Sequence, residues 1–182
     1  MRVHIVGASG SGTTTLGAAL AERAGACHLD TDDYFWLPTD PPFETPRPRT
    51  ERLERLETDL DASPAWVLSG SLCGWGDLLV GRFELVIFLF VATGVRLSRL
   101  RDRERREFGC EALAPGGRMH ANHVAFMEWA AGYDDGDLEM RSLARHTAWL
   151  SDLRCPVLHL DGEMAVGDQV SEAMRMLDEG VR

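Results

Sequence analysis

The chain has 182 residues, 45% hydrophobic and 26% charged, with a formal net charge of −10. That length suits one domain with a buried core, and the acidic balance argues against a sequence-independent nucleic-acid binder, which needs surplus cations. No apolar run reaches membrane-spanning length and the N-terminus enters a strand pattern at once, so a cytoplasmic protein without membrane or nucleic-acid partners is expected.

Apolar runs alternate with helical patterns, which predicts parallel strands joined by crossover helices. The first run, Val3-His4-Ile5-Val6, passes directly into Gly7-Ala8-Ser9-Gly10-Ser11-Gly12-Thr13-Thr14-Thr15, and a helix is predicted from 13 to about 23. Gly7, Gly12 and Thr14 satisfy the phosphate-loop spacing G-x-x-x-x-G-K-[ST], with Thr13 where the lysine belongs. Glycines let such a backbone curl until its amides share one concavity, and the helix that follows adds the positive end of its dipole. The nucleotide-binding candidates here are Gly7, Ser9, Gly10, Ser11, Gly12, Thr13, Thr14 and Thr15, with the Thr14 hydroxyl aimed at Mg2+. Thr13 carries no charge. All 19 basic residues of the chain are arginine, so a cation replacing the lysine must be a guanidinium from elsewhere.

The second predicted strand, 27–30, ends in Asp30-Thr31-Asp32-Asp33. Ligands of open parallel sheets bind beyond the carboxyl ends of the strands. Carboxylates there would lie near the phosphate loop, one serving Mg2+ and another an acceptor's proton; the alternative is a solvated acidic turn. Tyr34, Phe35 and Trp36 either stack on a ring substrate or seal the core. A proline-rich loop over 39–48 precedes a helix near 50–61, with Leu53, Leu56 and Leu60 on one face and Thr50 as its cap. The third strand, 66–69, ends in Ser69-Gly70-Ser71, which either admits an acceptor or simply turns into the next element.

After a fourth strand at 85–91 comes a helix carrying Arg96, Arg99, Arg101, Arg103, Arg105 and Arg106, interleaved with Asp102, Glu104 and Glu107. Arg96, Arg99 and Arg103 share a face. Residues 108–137, with Pro115-Gly116-Gly117, read as a mobile lid able to carry Arg118 inward. His120 and His123 have no partners for a metal set. The fifth strand, 157–160, leads to a helix aligning Val166, Val170, Met174 and Leu177. Cys27, Cys73, Cys110 and Cys155 make no C-x-x-C pair and read as reduced thiols.

With these elements in place, the chain resembles the P-loop kinases of the nucleoside-monophosphate-kinase-like group, which includes adenylate, cytidylate and shikimate kinases. Residues 7–14 match the group's Walker A loop except at Thr13, and Asp30-Thr31-Asp32 is similar to the shikimate-kinase D-x-D element, whose carboxylates serve magnesium and the acceptor hydroxyl. The run 91–99 resembles the adenylate-kinase segment that ends in an adenine-stacking arginine, which implies Arg99 against the base and Arg103 against phosphates. Ala114-Pro115-Gly116-Gly117-Arg118 is similar to the start of the adenylate-kinase lid, and Gly162 with Glu163 falls where the adenine loop runs.

The resemblance implies an α/β chain with the three-layer αβα P-loop NTPase fold: one domain over 1–182, five parallel strands in the order 2-3-1-4-5, and a lid over 108–137. It implies ATP and Mg2+ as cofactors, Asp30, Asp32, Arg103 and Arg118 as catalytic residues, Thr14 and Asp30 as metal ligands, and Arg99, Arg103 and Gly162 at the nucleotide. The expected activity is transfer of the γ-phosphoryl group of ATP·Mg2+ to a small acceptor, whether nucleotide, nucleoside or another hydroxyl compound, by a monomer or homodimer. No G-[FY]-P-R segment follows the third strand, so the acceptor stays open. Thr13 keeps a second expectation alive, a catalytically weak or inactive nucleotide-binding sensor or pseudokinase.

Overall fold

Strands β1 (Arg2–Gly7), β2 (Cys27–Asp30), β3 (Trp66–Ser69), β4 (Leu85–Phe90) and β5 (Val157–Asp161) form one parallel sheet in the order β2-β3-β1-β4-β5 in the computed structural model, which describes residues 1–180. The helices are α1 (Thr13–Ala24), α2 (Thr31–Phe35), α3 (Arg49–Ala62), α4 (Thr93–Phe108), α5 (Cys110–Leu113), α6 (His120–Ala131), α7 (Leu143–Ser151) and α8 (Val166–Gly180).

Central strand β1 explains why its sequence is apolar at nearly every position. Val3 and Ile5 join Val67, Leu85, Ile87 and Leu89 on the face covered by Leu16 and Leu20 of α1 and Val170 and Ala173 of α8. Val6 joins Trp66, Leu68, Val86 and Phe88 on the other face, against Leu56 and Leu60 of α3 and Leu150 of α7. Strands buried on both sides have no polar face, so their residues run apolar instead of alternating. The three-layer αβα architecture follows. Among the described residues no helix is long and apolar enough to cross a membrane, and all four cysteines are free thiols.

Strand order also fixes where a ligand can sit. From β1 the chain moves outward to β2, returns to β3, then crosses β1 to reach β4. Connections leave in opposite directions there, opening a crevice at the carboxyl ends of β1 and β3.

Two local expectations change. Thr50 does not cap its helix: α3 begins at Arg49, with Pro48 at the cap position and φ −53°, a value that the proline ring presets. Residues 108–137 are also mainly helical rather than loop, because α5 and α6 occupy them and Met119, Ala130 and Tyr133 are buried.

His4 of β1 is fully buried, stacked on Phe83 at 4.9 Å, with Nδ1 3.0 Å from Leu68 O. Burial lowers its pKa to about 4, and the backbone contact only partly opposes that. His146 of α7 is lowered further, to about 3, by burial first and then by Arg141, His4 and Arg145. The unfolded chain protonates both near pH 6.5, whereas the folded chain resists until more acidic pH. Stability is therefore complete above about pH 6.5 and lost as pH falls toward 4, by on the order of 2–3 kcal/mol per histidine. Urea unfolding at pH 7 and pH 5 should record that loss, and His4→Phe should shrink the difference between the two midpoints.

Candidate functional site

The segment between β1 and α1 holds the curl that its glycines permit. Gly10 and Gly12 have φ of +82° and +99°, and Gly12 stands at the N-cap of α1. Leu16 N–H is the first to bond back, to Gly12 O at 2.9 Å. The amides of Thr13, Thr14 and Thr15 therefore have no partner within the helix and are available to an anion. Ser11 departs from expectation: its N–H closes a turn on Ala8 O at 3.1 Å, and its hydroxyl is buried without a partner among the described residues. It shapes the loop and offers no amide to a ligand.

Loop carbonyls are taken by arginines. Arg141 Nη2 donates to Gly7 O at 2.8 Å, Arg96 Nη1 donates to Ser9 O at 3.5 Å, and Arg99 Nη1 donates to Ser11 O at 3.5 Å.

At the mouth of the loop, the Thr14 hydroxyl donates to Asp30 Oδ2 at 2.7 Å, and Ser69 Oγ donates to the same oxygen at 2.9 Å. Asp30 Oδ1 accepts the Asp32 N–H at 3.0 Å, which caps α2. These contacts join β2, β3 and α1 at one carboxylate. Asp32 is exposed at the cleft, yet the protein packed around its carboxyl raises its pKa; repulsion from Asp30 adds to this, and Arg141 and Arg103 oppose it. Among the described residues no group of three or more His, Cys, Asp or Glu side chains is placed to hold a metal alone.

The arginine helix divides its tasks. Arg96 is fully buried and donates to Val91 O, Ala130 O and Thr93 Oγ1 besides pairing with Asp134 at 3.1 Å. Both terminal nitrogens of Arg99 donate to Gly162 O at 3.1 Å, which brings Arg99 and Gly162 together beside Ser11. Arg103 lies 5.8 Å from the Phe126 ring and within electrostatic reach of Asp32. Arg118, by contrast, is ion-paired with Asp40 of the proline-rich loop at 3.1 Å and is 61% exposed. It is committed there and not to the phosphate loop. Asn122 makes a second link to that loop, through Glu44 at 3.2 Å.

The aromatic run also resolves. Tyr34 and Phe35 pack into the core, with Arg52 3.7 Å above the Phe35 ring, and only Trp36 meets an exposed partner, Phe43. His123 pairs with Glu104 at 2.6 Å, and His120 Nδ1 lies 2.9 Å from Leu113 O.

Three residues escaped the sequence reading: Arg141, Tyr133 and His146. His146 stands between Ser71 Oγ (2.9 Å from Nε2) and Tyr133 OH (2.8 Å from Nδ1). Arg141 lies 134 positions from the glycine whose carbonyl it binds, and no local pattern spans such a gap.

The chain matches the AAA domain family over residues 3–113. It belongs to that family. It is also 46% identical over 175 residues to the uncharacterised protein YqaC of Bacillus subtilis (strain 168), across 96% of each chain. The cytidylate kinase of Natronomonas pharaonis is 30% identical over 166 residues, 83% of each chain, which sets this AAA domain chain in the nucleoside-monophosphate-kinase-like group of P-loop kinases. In solved structures the same fold recurs in shikimate kinase from Acinetobacter baumannii (TM-score 0.56, 18% identity, covering 98% of this chain and 93% of that one). Deoxyadenosine kinase from M. mycoides gives a TM-score of 0.59 at 16% identity, covering 98% of this chain and 100% of the other.

In this P-loop chain, a Cβ at Gly10 would lie 2.7 Å from Arg96 O and require a left-handed residue to carry a side chain. Gly10→Ala should therefore destabilise the protein by roughly 1–3 kcal/mol in chemical unfolding, more than a solvent-facing Gly→Ala substitution would.

Proposed function

We propose that this protein binds ATP·Mg2+ at 7–15 and transfers the γ-phosphoryl group to a small hydroxyl-bearing acceptor. The observation that carries the reading is the contact of Thr14 Oγ1 with Asp30 Oδ2 at 2.7 Å, directly after a curled glycine loop and beside the Ser69 hydroxyl. A hydroxyl and a carboxylate that share a hydrogen bond at a helix N-terminus are the hard oxygen donors Mg2+ uses next to phosphates.

Gly7, Ser9, Gly10, Gly12, Thr13, Thr14 and Thr15 would line the phosphates, with free amides at the start of α1. Thr14 and Asp30 would hold Mg2+. Once bound, ATP·Mg2+ supplies the transferable group and neutralises part of its charge. Arg99 and Gly162, already joined, would border the base; Arg103 would act on the phosphates. Asp32 would take the acceptor's proton, and its raised pKa improves it as a base. Arg118 would contribute only after leaving Asp40. The related kinases named above act on nucleosides, nucleotides or other hydroxyl compounds, and those classes define the panel to test. The same reading makes the protein a cytoplasmic enzyme.

One observation favours a second reading. Thr13 puts no cation inside the loop, which fits a sensor that holds nucleotide without turnover. The decisive experiment incubates the purified protein with ATP, Mg2+ and the acceptor panel. Acceptor-dependent ADP release supports the kinase, whereas ATP binding without release supports the sensor. Asp30→Asn keeps an acceptor for the Asp32 N–H but removes the charge, so the gain in ATP affinity on adding Mg2+ should fall about tenfold or more in calorimetry. An Mg2+ effect equal to that of the unaltered protein would remove Asp30 from the metal site.

A further inference from the structure

Arg141, beside the phosphate loop, has donors to spare. Arg96 is satisfied by carbonyls, Thr93 and Asp134, and Arg99 by Gly162 O. Among the described residues Arg141 makes a single hydrogen bond, to Gly7 O at 2.8 Å, and its Nε is enclosed without a partner. The guanidinium lies 5.7 Å from the Trp129 ring, and Asp32 and Asp30 attract it without hydrogen-bonding to it. Arg141 is partly buried, and its enclosed Nε is unfavourable until an acceptor arrives to meet it.

The position of that cation corresponds to a known gap. A lysine at 13 would be the first residue of α1, where side chains lean back toward the helix N-terminus and so over the loop. Gly7 O is the carbonyl that opens the same loop. A guanidinium bonded to it brings positive charge to the concavity that Thr13 leaves neutral.

We propose that Arg141 supplies the charge that this phosphate loop lacks at position 13. This rests on the nucleotide reading above and names the residue that makes it work without a lysine. Held by Gly7 O, Arg141 turns its remaining N–H groups to the outer phosphate oxygens. The cation then belongs to the segment between α6 and α7, so grip on a triphosphate depends on that segment being docked.

Dissociation constants for ATP and for adenosine, both with Mg2+, are measured by calorimetry on the wild type, Arg141→Met, Thr13→Lys and the double variant. Arg141→Met should weaken ATP about ten- to a hundredfold while adenosine changes by less than about threefold, because only phosphates meet the guanidinium. Thr13→Lys should restore most of that loss in the Arg141→Met background and add much less to the wild type, the non-additivity expected of two groups sharing one role. A folded Arg141→Met protein that binds ATP as the wild type does, or a Thr13→Lys gain equal in both backgrounds, overturns the assignment. Should the methionine variant fail to fold, Arg141→Lys with and without Thr13→Lys carries the same comparison, since a point charge replaces only part of a planar fork. Wild-type protein that binds no ATP overturns the nucleotide reading and this one together. Wild-type binding with an indifferent Arg141 overturns this one alone.

Discussion

Guanidinium groups bonded to main-chain carbonyls hold the phosphate loop in its curl. A backbone that turns amides toward a ligand leaves carbonyls needing donors, and a buried carbonyl without one is costly. Arg141, Arg96 and Arg99 meet Gly7 O, Ser9 O and Ser11 O, three alternate residues of the loop. Five donors in a rigid plane let one arginine tie several strands of backbone at once, which an ammonium on a flexible stem does less well. Arg96 does so most fully, joining the loop to the end of β4 through Val91 O and to the end of α6 through Ala130 O. In a chain whose cations are all arginine, the loop is braced from outside where a lysine would have braced it from within.

The sheet order decides which groups meet that loop. Because β3 lies between β2 and β1, the ends of β2 and β3 deliver Asp30 and Ser69 to one point, where Thr14 joins them from α1. Gly70 follows with φ +100°, and a Cβ there would sit 1.8 Å from Thr31 Oγ1. No side chain fits between the turn after β3 and the first residue of α2. That side of the crevice is thus packed directly on the helix that Asp30 caps.

A second network ties the segment after α6 to that turn. Tyr133 and Ser71 bond opposite nitrogens of His146, which burial keeps neutral, so the ring donates to one partner and accepts from the other. A charged ring would have two donors, and both hydroxyls would then have to accept. Arg141 sits between Tyr133 and His146 in the chain, and its placement on Gly7 O therefore depends on the packing of α7 as well as on the loop it serves.

Much of this was legible in the sequence because its signals are local. Each of the five strands was readable from an apolar run, the glycine loop from its spacing, and Asp30 from its place at a strand end. Thr50 misled because a proline two residues earlier sets the helix start through its fixed φ, and α5 and α6 within 108–137 went unread because glycine turns divide that segment into short runs. Which guanidinium reaches the loop was not local at all. Arg103, Arg118 and Arg141 look alike as residues, and only tertiary packing sends one to the vicinity of Asp32, one to Asp40 and one to Gly7 O. A long charged side chain takes whatever carbonyl or carboxylate the fold places within its reach, so chain order determined the scaffold, and three-dimensional proximity decided the charge.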